Sequence, residues 1–256
     1  MVKCIDYFLR GDKWEEMEVI IRILLRCAAG ILLGLIMGNG AVWFFNKIPG
    51  RWLCNYDEEP DEELLNPTVQ RVRSTPWKYL FTALFACIGI WLFRSNVHYA
   101  FAAMCLCWVL LEMAIADIKY MIVPDQLIFL TMAVAVGFIP FHERGPLDCA
   151  LGAAVGLGVM MLMVLIGWIL YRKNTIGGGD IKLMTALGLV LGSDGIITVF
   201  LLSTLLSAMH FVYLLMRKRV KITDKKPMVP YIAVSAGIYV VLLQEMGYNI
   251  LIAFNL

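Results

Sequence analysis

Charge is scarce in this 256-residue chain: Asp, Glu, Lys and Arg make up 16% of it against 61% hydrophobic residues, and mean hydropathy is +0.77. Soluble domains carry about a quarter charged residues, so a water-soluble globule is excluded and a bilayer is the expected solvent. The seven cysteines include no CxxC pair, and five of them (Cys27, Cys87, Cys105, Cys107 and Cys149) sit in or beside apolar stretches. Cys behaves there as a small hydrophobe, which excludes a disulfide framework and a zinc site. Only three histidines occur, His98, His142 and His210, scattered at span edges without metal-ligand spacing, so no metal is expected. No uninterrupted apolar core of a cleavable signal peptide is present either. Lys3, Asp6, Arg10, Asp12, Lys13, Glu15, Glu16 and Glu18 break up the first twenty residues. A net charge of +2 says little by itself, and no nucleic-acid partner is expected.

What the chain has is long apolar runs, at residues 27–45, 79–93, 99–116, 127–141, 147–171, 181–192, 196–216 and 229–254. A spanning helix needs about 20 mostly apolar residues, so the expected fold is all-α, a polytopic transmembrane helix bundle of about eight spans. The sixth run is short, and Ser193, Asp194 and Gly195 separate it from the seventh. A short span with charge at its mouth points to a water-accessible cavity.

Lys and Arg accumulate on the cytosolic side of membrane proteins. The segments after the odd spans hold fifteen of them, from Lys47 and Arg51 through Lys119 and Lys182 to Lys225 and Lys226, whereas those after spans two, four and six hold only Arg94 and Arg144. The odd loops are therefore expected in the cytosol, although the basic residues of the N-terminal tail count against that orientation. Three regions follow: a tail and first helix at 1–45, a cytosolic loop region at 46–78, and a membrane domain at 79–256. The loop carries an acidic run, Asp57, Glu58, Glu59, Asp61, Glu62 and Glu63. Two readings stand for it, a docking surface or a solvated loop.

Carboxylates at membrane depth are costly and mark functional sites. Asp117 closes span three in ADIKYMIVPDQL, which also holds Asp125, and Asp180 opens span six in NTIGGGDIKL. The topology puts all three on one face. Two carboxylates that approach closely cannot both ionise, so one keeps a proton while the other draws a proton from water, the arrangement that hydrolyses peptides in aspartic proteases. Gly177, Gly178 and Gly179 would let a substrate backbone approach Asp180, and Lys182 could bias the pair or bind a carbonyl. Each residue also has a structural reading. Asp125 follows Pro124 where an N-cap belongs, and Asp180 could cap its helix after the glycine turn. Glu112, inside span three, is protonated, paired or facing the cavity.

Three segments resemble the prepilin leader peptidases, membrane aspartyl proteases of the GxGD type. DIKYMIVPD, residues 117–125, is similar to the family's first motif, an Asp followed eight residues later by Asp after Pro; GGGDIK, residues 177–182, is similar to its second. GLIMGNGAVWFFNKIP, residues 34–49, resembles the stretch that closes the first span, and TPWKYLFTALF and KKPMVPYIAVSAG fall where the family has related segments. The resemblance implies that Asp117 and Asp180 are the catalytic pair. It implies as substrate a type IV prepilin or pseudopilin precursor in the bilayer of the bacterial cell membrane, cut at the cytosolic face after a short basic leader ending in Gly. No cofactor is implied for the cleavage.

Many members also methylate the new N-terminus with S-adenosylmethionine, an activity usually assigned to the N-terminal half. The chain departs there. The first loop holds only Cys54 where many members carry two CxxC pairs, Tyr79 stands where Glu is frequent, and Asn39 and Gly40 replace Ser and an apolar residue. Methylation is left open. A reading from another class is a membrane carrier that uses Asp117, Asp180 and Glu112 as a proton or cation relay.

Overall fold

The computed structural model describes residues 2–54, 60, 62–66, 69–94, 96–172, 176–217 and 226–243, with the side chains of residues 2–16, 62, 63 and 171 outside the description. Every regular element among them is helical: α1 (Val2–Lys47), α2 (Glu62–Leu65), α3 (Trp77–Phe93), α4 (Val97–Tyr120), α5 (Asp125–Phe138), α6 (Pro146–Tyr171), α7 (Gly178–Met216) and α8 (Val229–Ile238). A π-helical turn, Tyr239–Leu243, continues α8. Local chemistry sets several boundaries. The Asn96 side chain accepts the His98 and Tyr99 N–H groups at 3.0 and 3.2 Å and so starts α4. Met121, in the left-handed region at φ 53°, ends it. Pro146 and Pro230 sit in the first turns of α6 and α8, where a missing N–H costs nothing.

By length and composition, four helices can cross a membrane: Met17–Lys47, Val97–Tyr120, Pro146–Leu170 and Gly178–Met216. Trp77–Phe93, Asp125–Phe141 and Val229–Leu243 are shorter apolar helices. The expected bundle of about eight spans therefore resolves into four long and three short apolar helices among the described residues. The expected sixth and seventh spans are one helix, α7, broken at Gly192 with φ 72° and ψ −178°. Ser193, Asp194 and Gly195 read as a turn in sequence, yet they continue the helix beyond the break. The break takes the Val190 carbonyl out of the helical ladder, and His142 Nε2 lies 2.9 Å from it; a carbonyl only accepts, so Nε2 carries the proton. Of the last expected span, residues 244–254 lie outside the described residues, as do Lys218, Arg219, Lys221 and Lys225.

In lipid, helices gain little from burying apolar side chains against one another, and close backbone approach decides pairing. Two helix pairs are built this way. On α1, Gly30, Gly34 and Gly38 recur every four residues and press on α3: a Cβ at Gly30 would lie 2.5 Å from the Gly89 carbonyl oxygen, and one at Gly34 equally close to that of Phe85. On α6, Gly152 and Gly156 press on α7, where a Cβ at Gly188 would lie 2.1 Å from the Gly152 carbonyl oxygen. These small-residue stripes went unread in the sequence. Between the pairs runs α4, the most buried of the four long helices, whose Met104, Leu106, Leu110 and Met113 pack in one core with Phe138, Leu183, Leu187 and Ile232.

The region 46–78, for which docking surface and solvated loop were the two readings, carries a core of its own. Leu53, Leu64 and Val72 are buried with Ala41, Phe45 and Ile48 of the α1 end, Phe81 of α3 and Ala116 of α4. Of the acidic run, Asp57, Glu58, Glu59 and Asp61 lie outside the described residues; Glu62 and Glu63 belong to α2, and their side chains are not described.

Candidate active site

One end of the bundle encloses a cavity of about 740 Å³, into which four stretches converge. These are the end of α4 with Asp117, the α4–α5 connection through Asp125 and Gln126, the start of α7 with Gly177 to Lys182, and Arg51, Trp52, Cys54 and Pro60 from the first loop. Both Asp117 and Asp180 line it, 63 residues apart in the chain and close enough for the charge of one to act on the other. Sequence alone could not place the two in one cavity.

Asp117 stands in the last turn of α4 and is only 6% exposed. Its Oδ2 accepts the Val229 N–H at 2.9 Å. This is one of the open donors at the start of α8, so a helix N-terminus with its partial positive charge faces the carboxyl. Sequence reasoning missed this contact. The signal was Pro230, whose place in a first turn marks Met228 and Val229 as the end with free N–H groups.

Asp180 is the third residue of α7, and one of its carboxyl oxygens lies beside Gly177, the residue that precedes the helix. That is the place from which a capping carboxyl acts, so the capping and site readings of Asp180 are compatible. One of the three glycines is demanded by a contact. A Cβ at Gly179 would lie 2.8 Å from the Val123 Cβ, where α7 abuts the α4–α5 connection, whereas one at Gly177 would lie 3.3 Å from Asp180 Oδ2, the end of a side chain. At Gly178 a Cβ would meet nothing within 4 Å.

Asp125 does not cap α5. The N-cap is Pro124, and Asp125 occupies the first helical position. Both its oxygens accept from Lys182 Nζ, at 2.8 and 2.9 Å, tying the start of α5 to the first turns of α7. Lys182 is therefore engaged with Asp125. Glu112 is fully buried, and both its oxygens lack a hydrogen-bond partner among the described residues. It does not line the cavity. One helical turn to either side, Trp108 donates to the Met37 carbonyl at 3.1 Å and Ala116 packs with Ala41 and Phe45, so the stripe carrying Glu112 faces α1.

The helices and the cavity together define a class: an all-helical membrane protein with two carboxyls, from different helices, facing one cavity at a bundle end. Residues 104–212, which hold Asp117, Asp180 and the connection between them, match the type IV leader peptidase family. That match covers less than half of the chain. A protein of Aeromonas salmonicida, named prepilin leader peptidase/N-methyltransferase, is 33% identical over 141 residues, covering 54% of this chain and 47% of that one. Proteins of the same name from Bacillus subtilis (31% over 168 residues, 62% of each chain) and Xanthomonas campestris (29% over 169 residues, 64% and 57%) also match. The chain thus spans about half to three fifths of the length of these relatives. No solved structure matches it.

Proposed function

We propose that this chain is an intramembrane aspartic endopeptidase of the bacterial cell membrane that removes the leader of type IV prepilins or pseudopilins at the cytosolic face. The observation that carries the reading is the meeting of Asp117 and Asp180 in one cavity at the end of apolar helices. Two carboxyls that approach closely in such a cavity hold one proton between them. The ionised member takes a proton from a water as the water oxygen attacks the scissile carbonyl, and the protonated member donates to the carbonyl oxygen. Collapse of the tetrahedral intermediate breaks the C–N bond, with a proton passing from the pair to the leaving amine. The Val229 N–H fixes Asp117, so that this carboxyl need not reorganise during the step.

Asp117→Asn and Asp180→Asn are the test. Co-expressed with a prepilin, each variant should accumulate uncut precursor while the wild type matures it; continued maturation by either variant would sink the assignment. A carrier reading would need Glu112 to join the pair, and its position off the cavity on the α1-facing stripe speaks against that. Methyl transfer, the second activity in the relatives' name, would use S-adenosylmethionine. Asn39 and Tyr79, which stand at the positions where the chain departs from the family, are exposed and do not line the cavity.

A further inference from the structure

We propose that the Gly50–Leu53 turn is the substrate-binding wall of the carboxylate cavity, with Arg51 taking an oxygen acceptor of the bound precursor and Arg71 acting as the positioning residue that holds the turn there. The inference rests on the peptidase reading for the identity of the occupant.

Arg51 is exposed and lines the same cavity as Asp117 and Asp180. Its carbonyl accepts from the Cys54 thiol, whereas its guanidinium has no protein acceptor among the described residues. The second cation on the wall, Lys182, is engaged with Asp125. Arg51 therefore offers a planar fork of donors, suited to carbonyl or carboxylate oxygens, beside the carboxyls that do the chemistry. Trp52 lies next to it on the wall and supplies an apolar face.

The position of the turn is built, not incidental. Leu53 is buried in the small core under the loop. Gly50 sits so close to α2 that a Cβ would be 2.6 Å from the Leu64 carbonyl oxygen. Arg71, itself buried, donates to the carbonyls of Leu64 (3.1 Å) and Phe45 (3.5 Å) and to that of Ile48, gathering the end of α1, the stretch that leads into the turn and α2 around one guanidinium. Asn46 brackets the next residue, donating to the Val72 carbonyl at 3.0 Å and accepting the Val72 N–H at 2.9 Å. Lys119, two residues beyond Asp117 on α4, donates to the Arg71 carbonyl. One arginine thus couples the wall that carries Arg51 to the helix that carries Asp117. Three charge-assisted bonds to otherwise open carbonyls give that coupling its rigidity.

The test uses the purified full-length protein in detergent with a prepilin peptide spanning the cleavage site. Arg51→Gln should raise KM by about tenfold or more and change kcat by less than about threefold, because a binding contact rather than the chemistry is lost. Arg51→Lys, which keeps the charge but not the fork, should recover part of the loss. Repeating the comparison on a peptide whose carboxylates near the cleavage site are replaced by amides separates the sources. If the Arg51→Gln effect vanishes, the acceptor is a side-chain carboxylate; if it persists, it is a backbone carbonyl. Arg71→Lys should raise KM in the same direction, and the double variant should be no worse than Arg51→Gln alone. Lys119→Met, which frees the Arg71 carbonyl, gives the same readout should Arg71→Lys fail to accumulate. An unchanged KM for Arg51→Gln in a preparation whose wild type cleaves overturns the proposal and leaves the peptidase reading standing. Additive KM effects overturn the positioning role of Arg71. A wild type that leaves the peptide intact overturns the peptidase reading, and this inference with it.

Discussion

The α6–α7 contact makes a prediction that links packing to the site. Alanine at Gly188 would put its Cβ 2.1 Å from the Gly152 carbonyl oxygen, against the 3.4 Å at which ordinary contact begins, a shortfall of about 1.3 Å. The obstacle is backbone, so no side chain can rotate away and the two helices must part. Overpacking of this kind costs about 1–3 kcal/mol, and where helices are held by close approach in lipid there is little other attraction to offset it. Asp180 lies eight residues along the same helix, about 12 Å at 1.5 Å per residue, so a tilt of α7 reaches the cavity. A displacement of about 1 Å at a catalytic group can lower the rate about 100-fold. Gly188→Ala is therefore expected to melt earlier in detergent and to cleave precursor far more slowly. Gly158→Ala, on α6 where a Cβ meets nothing within 4 Å, is the control. It should gain up to about 1 kcal/mol from helix propensity. A Gly188→Ala protein as stable and active as wild type, or a Gly158→Ala protein equally damaged, would refute the reasoning.

Met121→Gly should raise the melting temperature, the net gain being about 0.5 kcal/mol after the added unfolded-state entropy, because Met121 holds φ 53° at the end of α4; a fall would mean that its side chain contributes more than its backbone costs. Glu112→Met should stabilise the protein by about 1–3 kcal/mol, the cost of a buried polar group without a partner; destabilisation in the same melting assay would show that the carboxyl has a use. For Asp125 and Lys182, a double-mutant cycle should give a coupling below about 1 kcal/mol, since the Lys182 side chain is 51% exposed; a larger value would mean that the pair is shielded from water.

Much was legible in the chain before any coordinates. Apolar runs announce helices because a bilayer tolerates few other spanning structures, and as far as the residues are described each of the eight runs falls on one of the helices α1 and α3 to α8, the last of them through 229–243 only. Asp117 and Asp180 stood out because a carboxyl beside an apolar run demands a reason. Local pattern failed where a local signal competed with tertiary packing. Ser193, Asp194 and Gly195 look like a turn, but α7 runs on past them, with His142 meeting the carbonyl exposed by the break. Asp125 has the neighbours of an N-cap, yet Lys182, 57 residues away, takes both its oxygens.

By itself, then, the sequence determined that the chain is helical and apolar enough for a bilayer and which two acids to propose as the pair, since hydrophobicity and burial cost are properties of short stretches. Only the tertiary structure decided that these acids share a cavity, that the start of α8 holds Asp117, and that Arg51 stands on the wall beside them. Those facts depend on how closely helix backbones approach, and glycines far from the site set that distance.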